Sequence, residues 1–140
     1  MGFSNVNPEL KLRIKTLHMD FTDMPQPELL IPIPNPNPDI DCKIVVTSPE
    51  FTSLCPLAVT QPDYATITIE YYPKVFVVEL KSLKFYLVSF RTVSIFHEAV
   101  VGKILKDLVD VCKPAYMRVT GDFTVRGGLH TTVTAVSENK

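Results

Sequence analysis

The sequence carries almost no net charge. Its 14 basic and 15 acidic residues leave −1 over 140 positions, so nothing global draws it to nucleic acid or an anionic membrane, and any anion site must be local. No apolar run approaches the roughly 20 residues a membrane span needs. The opening MGFSNVNPELKLRIK lacks the basic-then-apolar order of an export signal. Asn5, Val6 and Asn7 make a poor acylation context behind Met1-Gly2, so no lipid anchor is expected. Cysteine is scarce: Cys42, Cys55 and Cys112 form no tight metal-ligand spacing, and an odd count without an export signal predicts reduced thiols in the cytosol and no metal site. There is neither an internal repeat nor a low-complexity tail.

What is present fits one soluble globular domain, with 46% hydrophobic and 21% charged residues. Residues 10–16 alternate, with Leu10, Leu12 and Ile14 on one side and Lys11, Arg13 and Lys15 on the other, the period of a half-buried strand. Six prolines then fall within the 14 residues 25–38 (PQPELLIPIPNPNP), which predicts an extended arm across the surface. Strands are expected at 43–47 and 64–72, with 75–78 extending or pairing with the second. Apolar residues at helical spacing predict helices over 82–91 and 94–112, the latter stopped by Pro114. Strands at 116–125 and 131–136, separated by Gly127-Gly128, end the chain. The order predicts an α+β domain with an antiparallel sheet and two helices inserted between strand pairs. So small a sheet has few means of closing its edges, which favours oligomerisation.

Several residues invite chemistry, each beside a plainer alternative. Cys55 falls in the turn-like loop SLCPLAVTQPD, where a thiol can be reactive, although a small buried cysteine fits as well. Asp63, eight positions later, can fold back towards the sulfur; as a neutral acid it can donate a proton, and otherwise it simply starts a strand after Pro62. Lys81 and Lys84 lie in the first turn of a helix, where the dipole prefers acids, so either an anion binds there or they are solvated surface. Ser94 as cap would want Glu at position 97, yet His97 occupies that slot. His97 and Glu98 can present a donor and an acceptor edge to a planar heterocycle; equally, Glu98 answers the helix dipole. Arg126 before Gly127 and Gly128 combines a cation with backbone that can approach a ligand, or belongs to an ordinary turn. His18 and His130 read as surface residues, Cys42 and Cys112 as structural ones.

Their order makes a resemblance. PEFTSLCP, QPDYATI, ELKSLKFYLVSFR, FHE and RGG, in that sequence, resemble the single-domain NADPH-dependent 7-cyano-7-deazaguanine reductases, the QueF family of nitrile reductases. The similarity runs over about 44–136. ELKSLKFY, residues 79–86, fits the family's cofactor-linked signature Glu-[Ser/Leu]-Lys-[Ser/Ala]-x-Lys-aromatic-aromatic. The resemblance implies a tunnelling fold related to GTP cyclohydrolase I, with a ββααββ subunit, an oligomeric barrel of stacked rings and active sites between subunits. Residues 1–38 are then the N-terminal strand and proline-rich arm, and 39–140 the catalytic domain. The implied reaction reduces a nitrile to a primary amine in queuosine biosynthesis, a transfer-RNA modification. Cys55 attacks the nitrile carbon to give a thioimidate, and Asp63 supplies protons. Glu98 and His97 hold the substrate, in a group that also includes Glu79, whose role the sequence leaves open. Lys81, Ser82, Lys84, Arg126 and Gly127 meet the NADPH cofactor. One departure stands out: the family's Cys-Pro-x-Thr-Gly-Gln-Pro-Asp becomes CPLAVTQPD, with an extra residue and no glycine, so this loop must bulge differently.

Three rival readings stand beside it. An amidino-transferase of the same fold, acting on the nitrile base in transfer RNA, would share Cys55 and Asp63 without NADPH; retention of ELKSLKFY and the near-zero charge oppose it. A zinc hydrolase would want clustered Cys and His ligands. A non-catalytic purine-binding ring would form no adduct at Cys55.

Overall fold

The computed structural model describes residues 6–138, with Val59 and Thr60 described by backbone alone. A four-stranded antiparallel sheet runs in the order β2 (Ile44–Cys55), β3 (Ala58–Tyr72), β5 (Tyr116–Phe123), β6 (Thr132–Glu138). Between β3 and β5 the chain makes a short strand β4 (Phe76–Val78) and two helices, α2 (Leu80–Val88) and α3 (His97–Cys112), with a 3₁₀ turn over Ser89–Thr92. The predicted α+β class and antiparallel sheet are present.

Alternation explains which sheet face is covered. Along β3, Ala65, Ile67, Ile69 and Tyr71 are buried, and along β5 Met117, Val119 and Phe123. These pack against Val100, Val101, Ile104 and Leu108 of α3, the stripe that the helical spacing predicts, and Leu83, Tyr86 and Leu87 of α2. Gly121 allows the approach: a Cβ there would stand 2.7 Å from Val101 Cγ2 and 2.8 Å from Phe123 Cε2. The two helices are joined by a buried polar network in which the Tyr86 hydroxyl donates to Asp107 Oδ2 at 2.7 Å and Lys103 Nζ pairs with Asp107 Oδ1 at 2.9 Å. The opposite sheet face is open and mixed: exposed Val45, Tyr64, Tyr72 and Val136 share it with Glu70, which lies between Lys43 and Arg118.

The N-terminal segment departs from its sequence pattern. Residues 8–15 form a helix, α1 (Pro8–Lys15), not a strand. The Asn7 side chain accepts from Leu10 N, and Pro8, which has no N–H to lose, begins the helix. A run this short satisfies period two while the end signals decide for helix.

The proline-rich arm is extended only in part: Pro27–Leu29 make a 3₁₀ turn, and β1 (Pro32–Pro34) pairs with β4. Nor is the arm a surface connector, since Leu29, Leu30 and Ile31 are buried. Prolines remove six of its 14 backbone donors, and two of those that remain go to buried serines of the α2 segment. Gln26 N donates to Ser89 Oγ at 3.2 Å and Ile31 N to Ser82 Oγ at 3.1 Å.

Burial sets the alkaline limit of this fold. It pushes the Cys112 thiol from 9.0 up to about 12 and the Tyr71 hydroxyl from 10.0 up to about 12. Tyr86 is also raised, by burial first and then by the Asp107 carboxylate. Above pH 9 the unfolded chain therefore binds fewer protons than the folded one, and stability must fall as pH rises. Urea midpoints are expected to decline steadily between about pH 9 and 12, with a shallower decline in Cys112→Ala; a flat profile would contradict the burial assigned to these groups.

Candidate active site

The thiol, the carboxylate and the imidazole meet at one end of the covered sheet face. Cys55 does not lie in a long loop; it is the last residue of β2, and only Pro56 and Leu57 separate it from β3. Asp63 lies within β3, directly across from Ser53. The pairing jumps from Leu54↔Pro62 to Cys55↔Ala58, leaving residues 59–61 as a bulge. That bulge absorbs the extra residue that the sequence shows between Cys55 and Asp63, and Pro62 sits beside it, where a missing donor is tolerated.

The backbone of Leu54 then brings in α3. Leu54 N donates to Val93 O at 2.9 Å and Ile95 N donates to Leu54 O at 3.1 Å, a short parallel bridge through Ser94. Ser94 is therefore not the helix cap: Phe96 holds that position without a side-chain bond, and His97 and Glu98 are the first two helical residues. Glu98 remains in the first turn, where the dipole favours it.

Asp63 is 3% exposed and flanked by two basic side chains. His97 Nε2 lies 3.3 Å from Oδ2, and the Arg126 guanidinium pairs with Oδ1. The imidazole is stacked on Phe123, ring centroids 3.9 Å apart and planes 7° apart, so its edge is aimed by the sheet. Arg126 is aimed by a two-residue turn: Gly127 and Gly128 have φ of +57° and +79°, and Arg126 and Leu129 exchange both backbone hydrogen bonds at 2.9 Å. Two positive φ values define a type I′ turn, which glycine alone adopts freely. Cys55, Asp63, Phe96, His97, Glu98 and Arg126 line a cavity of about 260 Å³, open on one side.

The other candidates lie elsewhere. Glu79 caps α2, its carboxylate accepting from Ser82 N at 2.6 Å and Lys81 N at 3.0 Å. Ser82 is fully buried and its hydroxyl is spent, donating to Glu79 O and accepting from Ile31 N. Lys81 Nζ donates to Ile14 O of α1 at 3.1 Å. Lys84 opens onto a second cavity of about 360 Å³ between α2 and β2, which Arg91 also lines. Of the five residues expected at the cofactor, then, Arg126 sits in the first cavity, Lys84 in the second, and Lys81 and Ser82 are engaged within the chain. Gly127 serves the turn. Neither Phe123 as the platform for His97 nor Ser53 on the same face carries a signal in the residue pattern.

A family model for QueF-like proteins matches residues 62–140. The chain belongs to the QueF-like family. An NADPH-dependent 7-cyano-7-deazaguanine reductase from Nitrosococcus oceani is 55% identical over 95 residues, 68% of this chain and 73% of that protein. Another, from Chloroherpeton thalassium, is 48% identical over 113 residues, 81% of this chain and 97% of that protein. The fold is also that of an archaeosine synthase QueF-Like crystal structure in the apo form, with a TM-score of 0.65 at 23% identity, covering 70% of this chain and 95% of that one. At that identity the likeness speaks for the fold alone.

If Arg126 compensates a buried carboxylate in this QueF-like chain, removing it must cost stability. Arg126→Met is expected to lower the unfolding free energy by roughly 1–3 kcal/mol in urea titrations, Arg126→Lys by less, since truncating one partner strands the other charge. Equal stability in all three proteins would show that Asp63 does not rely on Arg126.

Proposed function

We propose that this chain reduces the nitrile of 7-cyano-7-deazaguanine to the aminomethyl group with NADPH, as an oxidoreductase of queuosine biosynthesis. The observation that carries the reading is Cys55, Asp63, His97 and Glu98 around one cavity, in a chain about half identical to reductases of that name. Cys55 is the nucleophile: its sulfur bonds to the nitrile carbon as the S–H bond gives its proton to the Asp63 carboxylate, one π bond of the triple bond opens, and the nitrogen takes a proton. Asp63 is the group placed to deliver it. The product of that step is a thioimidate, whose C=N accepts hydride where the triple bond does not. His97 and Glu98, adjacent at the N-terminus of α3, hold the edge of the deazaguanine; stacking on Phe123 keeps the imidazole plane fixed while they do so.

NADPH, when bound, supplies the hydrides. The second cavity fits such a group by its chemistry: Leu80, Leu83, Leu87 and Val88 give it an apolar wall, and Lys84 and Arg91 give it two cations for phosphate. Lys81, Arg126 and Gly127 join them only by exchanging their present contacts. Ser82 and Glu79 contribute by shaping the start of α2.

The assembly we infer is a homo-oligomeric barrel of the tunnelling type, built from the paired strands β2–β3 and β5–β6 with α2 and α3 between them in sequence. Its support lies in what one subunit leaves open. Phe96 and Leu129, which line the cavity, are 56% and 74% exposed, an apolar rim that a neighbouring subunit would cover. The cytosol is the compartment that suits three free thiols; among the described residues no helix is long and apolar enough to cross a membrane.

Nicotinamide absorbance tests the reading. With 7-cyano-7-deazaguanine, two NADPH are expected to be consumed per nitrile, as a four-electron reduction demands, and none by Cys55→Ala. A nitrile left unreduced by the wild-type protein, or reduced by Cys55→Ala, would contradict it.

A further inference from the structure

Two buried side-chain oxygens lack a hydrogen bond among the described residues, Ser53 Oγ and Asp63 Oδ1, and they belong to residues paired directly across β2 and β3. Asp63 Oδ1 has its ion pair with Arg126, without hydrogen-bond geometry. Ser53 has nothing. It is 0% exposed, and a buried hydroxyl left unpaired loses the hydrogen bonds that water would give it. An alanine would fit the same site without that cost.

Alternation along β2 shows where this hydroxyl is aimed. Phe51 and Ser53 are buried while their neighbours Thr52 and Leu54 are half-buried, so Phe51, Ser53 and Cys55 share the covered face. Phe51 is paired with Ala65, and Ser53 with Asp63. Side chains directly opposite in an antiparallel pair have Cβ atoms about 4.5–5.5 Å apart, within a hydroxyl's turn of a carboxyl oxygen. Ser53 thus stands beside the carboxyl and next along the strand from the thiol.

The charged groups facing Asp63 are one-sided in what they favour. Arg126 can only donate, and so can His97 when protonated, so both stabilise the carboxylate; Cys55 and Glu98 complete the titratable lining. A proton-delivering Asp63 must also exist as the neutral acid, which needs an acceptor for its O–H. A serine hydroxyl donates to a carboxylate and accepts from a carboxylic acid by rotating about one bond. We propose that Ser53 is a positioning residue that follows Asp63 through its change of protonation, holding the carboxyl in one orientation when Arg126 no longer does. This rests on Asp63 acting as the proton donor in the reductase reading.

The test uses Ser53→Ala and Ser53→Thr in the full chain. In nitrile turnover, Ser53→Ala is expected to lower kcat about tenfold, to leave the nitrile KM within about twofold and to displace the pH profile of kcat/KM; Ser53→Thr, which keeps the hydroxyl, restores most of the rate. Unchanged kcat and pH profile in Ser53→Ala, with active wild type, would overturn the proposal and leave the reductase reading standing. A second measurement needs no substrate: the melting-temperature difference between wild type and Ser53→Ala is expected to vary with pH, and to become pH-independent in the Asp63→Asn background. The same pH dependence in both backgrounds would sink the pairing even if the wild-type protein proved inactive on the nitrile.

Discussion

Asp63 is 3% exposed, and the cost of burying a carboxylate there organises one whole end of the molecule. Compensation comes from two directions that the chain reaches by different means. His97 arrives because the bridge between Leu54 and the strand-like Val93–Ile95 segment fixes where α3 begins, and because Phe123 of the neighbouring strand gives the imidazole a surface to lie on. Arg126 arrives because two glycines with positive φ turn the chain back just past β5. With those in place, the thiol needs no loop of its own. It ends a strand whose buried face already points into the cavity.

The rest of the chain secures that end. Glu79 caps α2, Ser82 and Ser89 receive two donors of the proline-rich arm, and Lys103 with Asp107 and Tyr86 ties α2 to α3. Residues of the ELKSLKFY signature are thus used twice, Glu79 and Ser82 for holding the helix and arm, Lys84 for the cleft beside it.

Much of this was legible in the residues. Strict alternation over 64–72 and helical spacing over 94–112 depend on burial of one face, and burial is what the fold delivers. Two features were not. Residues 10–16 alternate over too short a span to separate strand from helix, and Asn7-Pro8 decides the outcome through end effects. The stretch around Cys55 and Asp63 holds two prolines and suggests a loop; pairing with β3 on one side and a bulge at 59–61 make it a hairpin instead. That difference hid Ser53, because a residue in a loop has no defined face, whereas on a strand its parity with Cys55 is fixed. The site residues themselves were readable as chemical types only through their order along the chain. Arg126 as the partner of Asp63 required the turn geometry.

The proposed function requires that Cys55, at the end of β2, form a bond to the nitrile carbon. Its most direct measurement is intact-protein and peptide mass after mixing the protein with 7-cyano-7-deazaguanine in the absence of NADPH. The expected result is addition of one nitrile per chain, mapped to Cys55 and not to Cys42 or Cys112, and absent from Cys55→Ala. No adduct, or one that survives in Cys55→Ala, would contradict the account.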